Sequence, residues 1–140
     1  VTIPKKCIEI TSAKKIVFKE KRSIVYFINA SEISIKKVII DNCVITEGKR
    51  CDYLLLIINS DIKEHFIELK GSDVGHAIKQ LLTTIKIVSE NAKSLKKAAY
   101  VISTKCPISS TTLQIVQKKV KKEFNTLLFV KKPKSEIKIS

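Results

Sequence analysis

Cys51-Asp52-Tyr53-Leu54-Leu55-Leu56-Ile57-Ile58-Asn59-Ser60-Asp61-Ile62-Lys63-Glu64-His65-Phe66-Ile67-Glu68-Leu69-Lys70 is the stretch that decides the fold. Tyr53 to Ile58 is apolar throughout, as a strand covered on both faces should be. Asn59-Ser60-Asp61 breaks the run with turn-forming residues. His65 to Lys70 returns as a second strand, so the stretch predicts an antiparallel hairpin. Period-two alternation puts Glu68 and Lys70 on one face. Antiparallel pairing sets the start of the first strand beside the end of the second, which brings Asp52 opposite Glu68.

Upstream, Ile24 to Ile28 and Ile35 to Ile40 read as strands. Asp41-Asn42 closes the second, with Asp41 as a turn former, and Cys43-Val44-Ile45 follows before a Glu47-Gly48-Lys49 turn. Residues 8–18 fit either a strand or a short helix. Downstream the period changes. Val74, Ile78, Leu81, Ile85, Val88, Ala92 and Leu95 recur at helical spacing and predict one long helix, capped by Ser72 or Asp73. Ala99 to Ser103 is a strand. Beyond Pro107, Ser109, Ser110 or Thr111 can cap a second helix with Leu113, Val116, Val120 and Phe124 inward. Leu127 to Val130 is a last strand, and Lys131 to Ser140 a basic tail. This order predicts a single α/β domain over residues 1–140, with a mixed central sheet flanked by helices.

Charge narrows the function. The chain has 140 residues, 27 basic against 13 acidic, for a net charge of +14. Such an excess favours a polyanionic partner, nucleic acid ahead of an anionic membrane. A lysine-rich genome is the bland alternative. Residues 51–72 are the exception, with a net charge of −2 inside an otherwise basic chain. No apolar run approaches a membrane span, and the N-terminus lacks the apolar stretch of a signal peptide. Few aromatics and no Trp argue against a stacking platform for single strands. Cys7, Cys43, Cys51 and Cys106 show no CxxC spacing, so zinc is not expected. They read as isolated core residues in a reducing cytoplasm. The chain opens on Val, which fits either removal of an initiator Met or a domain cut from a longer protein.

Asp52 and Glu68, with the Leu69 carbonyl between them, offer oxygen ligands suited to Mg²⁺ or Mn²⁺. Such a metal binds a scissile phosphate and lowers the pKa of a bound water. Lys70 would offset developing negative charge. A surface Glu/Lys pair at a hairpin edge is the alternative. No Ser/His/Asp arrangement or glycine-rich phosphate loop competes.

The run Cys51-Asp52-Tyr53-Leu54-Leu55-Leu56-Ile57, then Phe66-Ile67-Glu68-Leu69-Lys70-Gly71, then a helix containing Gln80-Leu81, resembles the PD-(D/E)xK nuclease superfamily. The resemblance covers about residues 35–103. It implies a restriction-endonuclease-like αβββαβ core, with Asp52 and Glu68 as metal-binding acids, Lys70 as the motif lysine and Gln80 as its helix neighbour. Cys51 stands where a proline is often found. The upstream Glu that many members place on a preceding helix has two candidates here, Glu20 and Glu32.

The expected activity is metal-dependent phosphodiester hydrolysis, on DNA rather than RNA, in defence, repair or a toxin domain. A non-catalytic nucleic-acid-binding protein and a ribonuclease toxin domain are the alternatives. Lys79, Lys86 and His76 on the first helix, and Lys118, Lys119, Lys121 and Lys122 on the second, are the candidate phosphate contacts. One chain of this size is small for two strands, which favours a homodimer. A toxin domain would be delivered into a target cell and would have an inhibitor protein as partner. Otherwise the chain is expected in the cytoplasm, with no membrane partner.

Overall fold

The computed structural model describes residues 2–69, 73–105 and 108–139. Its strands are β1 (Ile8–Thr11), β2 (Lys15–Glu20), β3 (Ser23–Ile28), β4 (Ile35–Ile39), β5 (Tyr53–Leu56), β6 (Glu64–Leu69), β7 (Lys97–Ile102), β8 (Thr126–Lys131) and β9 (Glu136–Lys138). Two helices, α1 (Val74–Val88) and α2 (Ser110–Phe124), lie between β6 and β7 and between β7 and β8. The main sheet has the order β1-β4-β5-β6-β7-β8. It is antiparallel from β1 to β6 and parallel from β6 to β8. A second sheet has the order β2-β3-β9.

The molecule is therefore a mixed α/β sandwich in three layers. Phe66, Leu54 and Val38 on one face of the main sheet pack with Leu81, Ile85, Val120 and Phe124 of the two helices. Leu55, Ile67 and Tyr100 on the other face pack with Ile16, Phe18, Val25 and Phe27 of the small sheet. Alternation in Lys15-Ile16-Val17-Phe18-Lys19 explains that layer, since Ile16 and Phe18 point in and their neighbours point out. Filling each face of the main sheet is what buries Leu54 and Leu55 together.

Several expectations change. Among the described residues no α-helix precedes β4, so the leading helix of the αβββαβ order is replaced by the β2–β3 hairpin. Cys43-Val44-Ile45 is a turn closed by Ile45 N–H donating to the Ile40 carbonyl. Residues 131–139 are not a free basic tail: β9 pairs in parallel with β3, and Ile137 and Ile139 pack on the core.

The long helix stops at Val88 rather than reaching Leu95. The cause is a side chain distant in sequence. The Glu64 carboxylate accepts hydrogen bonds from Ser89 Oγ (2.5 Å) and from Glu90 N–H (2.9 Å), which draws the chain out of the helix. Lys97 is fully buried at the start of β7. Its ammonium donates to the Asn91 and Leu95 carbonyls of the turns that follow the helix. Asp73 and Ser109 cap the two helices as the sequence predicts, while Ser72 lies outside the described residues.

Cys7 and Cys43 are not isolated but joined by a disulfide, and Cys51 is a buried free thiol. Cys106 lies outside the described residues. Among the described residues no helix is long and apolar enough to cross a membrane.

Candidate active site

The β5–β6 register sets Tyr53 opposite Ile67 and Leu54 opposite Phe66. Asp52 N–H donates to the Ile67 carbonyl at 3.1 Å, so pairing continues past the end of β5. Leu54 and Phe66 both face the helix layer. Two residues beyond each, on that same face, stand Asp52 and Glu68. Their carboxyl groups lie close enough to share a proton when one of them is neutral, which lowers the Asp52 pKa. The sequence-derived pair is thus brought together at one end of the main sheet. Leu69 takes part through its amide, which donates to Asp52 Oδ2 at 2.8 Å. Lys70 lies outside the described residues.

Two further carboxylates join them. Glu20, Asp41 and Asp52 each place an oxygen within 4.8 Å of the others. Glu20 ends β2, and the tight turn into β3 carries it around the end of the main sheet. Asp41 follows β4, where Ile40 N–H and Asp41 N–H both donate to the Asp52 carbonyl (3.0 and 3.2 Å). Arg50 anchors Asp41 with a 2.8 Å hydrogen bond from Nε to Oδ1. Glu32 sits in a left-handed turn (φ 52°) outside this group. Of the two upstream acids, Glu20 is the one at the site.

These residues open on a cleft of about 580 Å³ lined by Glu20, Lys21, Arg22, Asp41, Asp52, Glu68 and Gln80. Burial pushes the Asp52 carboxyl above the usual carboxylate range, against the Leu69 N–H and the Glu68 hydrogen bond, which pull it down. The Glu20 and Asp41 charges add to the upward push. Gln80 is held by its own Nε2, which donates to the Arg50 carbonyl at 3.1 Å. Thr84, one turn further along α1, donates to the Gln80 carbonyl and accepts from Cys51 N–H, tying the helix to the strand end.

The expected phosphate contacts divide differently. His76 and Lys79 sit on the first turns of α1, at the same end of the sheet, but neither lines the cleft. Lys86 is near the end of α1, over the Phe124 ring. Lys118, Lys119, Lys121 and Lys122 lie on the second half of α2. Lys121 bonds Asn125, which in turn bonds the Ser94 carbonyl at the opposite end of the sheet. That cluster therefore stands away from Asp52 and Glu68. Sequence reasoning passed over Asp41, Lys21 and Arg22. For Asp41 a signal existed: pairing β4 with β5 in antiparallel register carries the residue after Ile40 to the Asp52 end.

No protein-family model, curated protein or solved structure matches this chain.

Proposed function

We propose that this chain is a divalent-metal-dependent nuclease of the PD-(D/E)xK type, acting on nucleic acid and on DNA in preference to RNA. The observation that carries the reading is the pairing of Asp52 with Glu68 across one step of the β5–β6 ladder, with Glu20 and Asp41 converging on the same cleft. Four carboxylates drawn from four segments, one of them pushed toward protonation, make a donor set that a hard cation would relieve. Asp52, Glu20 and Asp41 would hold Mg²⁺ or Mn²⁺, with Glu68 beside them. When bound, the ion supplies charge for the phosphoryl oxygen and a more acidic water.

The protein's own groups have separate tasks. Leu69 N–H fixes the Asp52 oxygen that faces the strand end. Arg50 holds Asp41 in reach and, through its carbonyl, positions the Gln80 side chain at the cleft wall. Lys70 is assigned the role of offsetting charge on the departing oxygen. The Cys7–Cys43 bridge favours a chain that meets an oxidising compartment over a cytoplasmic resident, as a delivered toxin domain would.

The test is incubation of supercoiled plasmid, linear duplex, single strand and tRNA with Mg²⁺, Mn²⁺ or EDTA. Cleavage of DNA with either metal and none in EDTA is expected. Binding without cleavage under every condition sinks the nuclease reading in favour of a nucleic-acid-binding protein.

A further inference from the structure

The cleft that gathers the carboxylates also contains two cations that the sequence did not single out. Lys21 and Arg22 form the turn between β2 and β3, and both side chains are exposed on the cleft wall. Glu20, Asp41, Asp52 and Glu68 share that wall, yet among the described residues neither Lys21 nor Arg22 is ion-paired. Arg50, from the loop before β5, pairs with Asp41. Lys21 occupies a left-handed backbone position (φ 50°), where Gly or Asn is the low-energy choice in a two-residue hairpin turn. A lysine there gives up backbone stability and places a cation at the hairpin tip instead.

An anion approaching this cleft meets a negative field from the four carboxylates. The lysines of α2 stand at the other end of the sheet and cannot offset that field at close range. Lys21 and Arg22 can, because the turn that carries Glu20 into the cluster carries them to its rim.

We propose that the β2–β3 turn is a phosphate grip, in which Lys21 and Arg22 hold backbone phosphates of the strand beside the carboxylate cluster. The grip rests on the nuclease reading for the identity of its anion, a nucleic-acid phosphate. Contacts of this kind position a strand and carry no sequence information. Their loss weakens binding equally across sequences and lowers the salt dependence.

The experiment is fluorescence anisotropy of labelled single-stranded and duplex oligonucleotides in EDTA, across a salt series, with the wild-type chain and K21Q/R22Q. Removing two phosphate contacts should lower the slope of log affinity against log salt by about 1.4 on single strand and about 1.8 on duplex. Affinity should fall roughly tenfold at low salt, with a thermal midpoint equal to wild type. A second variant, Arg22→Gln alone, should give half the change in slope. Unchanged slope and affinity in K21Q/R22Q overturn the grip, and if the wild type still cuts DNA with Mg²⁺ the nuclease reading survives. A wild type that cuts nothing with Mg²⁺ or Mn²⁺, but whose binding slope falls in K21Q/R22Q, overturns the nuclease reading and supports the grip.

Discussion

Glu64 and Glu68 stand four residues apart on β6, on the same face, 5% and 3% exposed. Their surroundings differ completely. Glu64 receives Ser89 Oγ–H and Glu90 N–H, and the buried Lys97 ammonium is its electrostatic neighbour. Glu68 shares its end of the sheet with Asp52, Glu20 and Asp41. One end of the sheet gives its buried carboxylate the donors of Ser89 and Glu90, and the other sets it on a cleft with three more carboxylates. Burial alone therefore does not tell these two acids apart; the groups placed around them do.

Removing each acid in turn separates the two ends most strongly. Asp52→Ala or Glu68→Ala should lower metal-dependent plasmid cleavage by on the order of 10²-fold or more, and Asp52→Asn should raise the thermal midpoint, because it removes a charge that burial disfavours. Retained cleavage at wild-type rate in either variant would place the chemistry elsewhere. At the other end, Glu64→Ala should destabilise the fold by about 3 kcal/mol in urea, since it leaves Ser89 Oγ–H and Glu90 N–H without their acceptor and removes the opposite charge near the buried Lys97. A Glu64→Ala chain as stable as wild type would erase the distinction between the two ends.

Acid titration sharpens the contrast. His65 lies between the two glutamates on the opposite face of β6, where its Nδ1 meets Tyr100 Oη and its Nε2 meets the Ile62 carbonyl, both at 3.0 Å. Burial lowers its pKa from 6.5 to about 4. Between those values the unfolded chain binds a proton that the folded chain refuses. Stability attributable to His65 should therefore fall as pH drops from 6.5 to about 4, by on the order of 3 kcal/mol in all. Asp52 has the opposite sign: its raised carboxyl gains stability as pH falls. Comparing urea midpoints of His65→Gln and wild type across this range isolates the histidine, and identical pH profiles would contradict its assignment. The smallest effect is expected from reversing Lys118, Lys119, Lys121 and Lys122, which should change the KM for DNA cleavage less than twofold. A tenfold rise would extend the binding track to the far end of the sheet.

The parts of the site carried by one hairpin were legible in the sequence. Alternation and turn chemistry between residues 52 and 68 are local, so the facing of Asp52 and Glu68 followed from strand pairing alone. The helix caps Asp73 and Ser109 were legible for the same reason. Glu20 was not, because its position depends on how the β2–β3 hairpin packs across the sheet through Ile16 and Phe18. Asp41 looked like any turn residue until β4 was paired with β5. The helix end at Val88 escaped because the group that stops it, Glu64, lies 25 residues earlier than Ser89 and on another element. The Cys7–Cys43 bridge was hidden likewise, since spacing along the chain gives no sign that the approach to β1 and the end of β4 are neighbours.

The distribution of the site along the chain has a consequence for how the protein is made. Glu20, Asp41, Asp52, Glu68 and Gln80 come from five segments, and Thr104, after β7, completes the cleft wall. A ribosome-bound chain emerges from its N-terminus, so the carboxylates appear one by one, before the parallel β6–β7 pairing that holds their sheet end can form. Non-local pairing of that kind closes late in folding. Nascent and half-folded copies consequently lack an assembled cleft, and whatever that cleft binds meets it only in finished molecules.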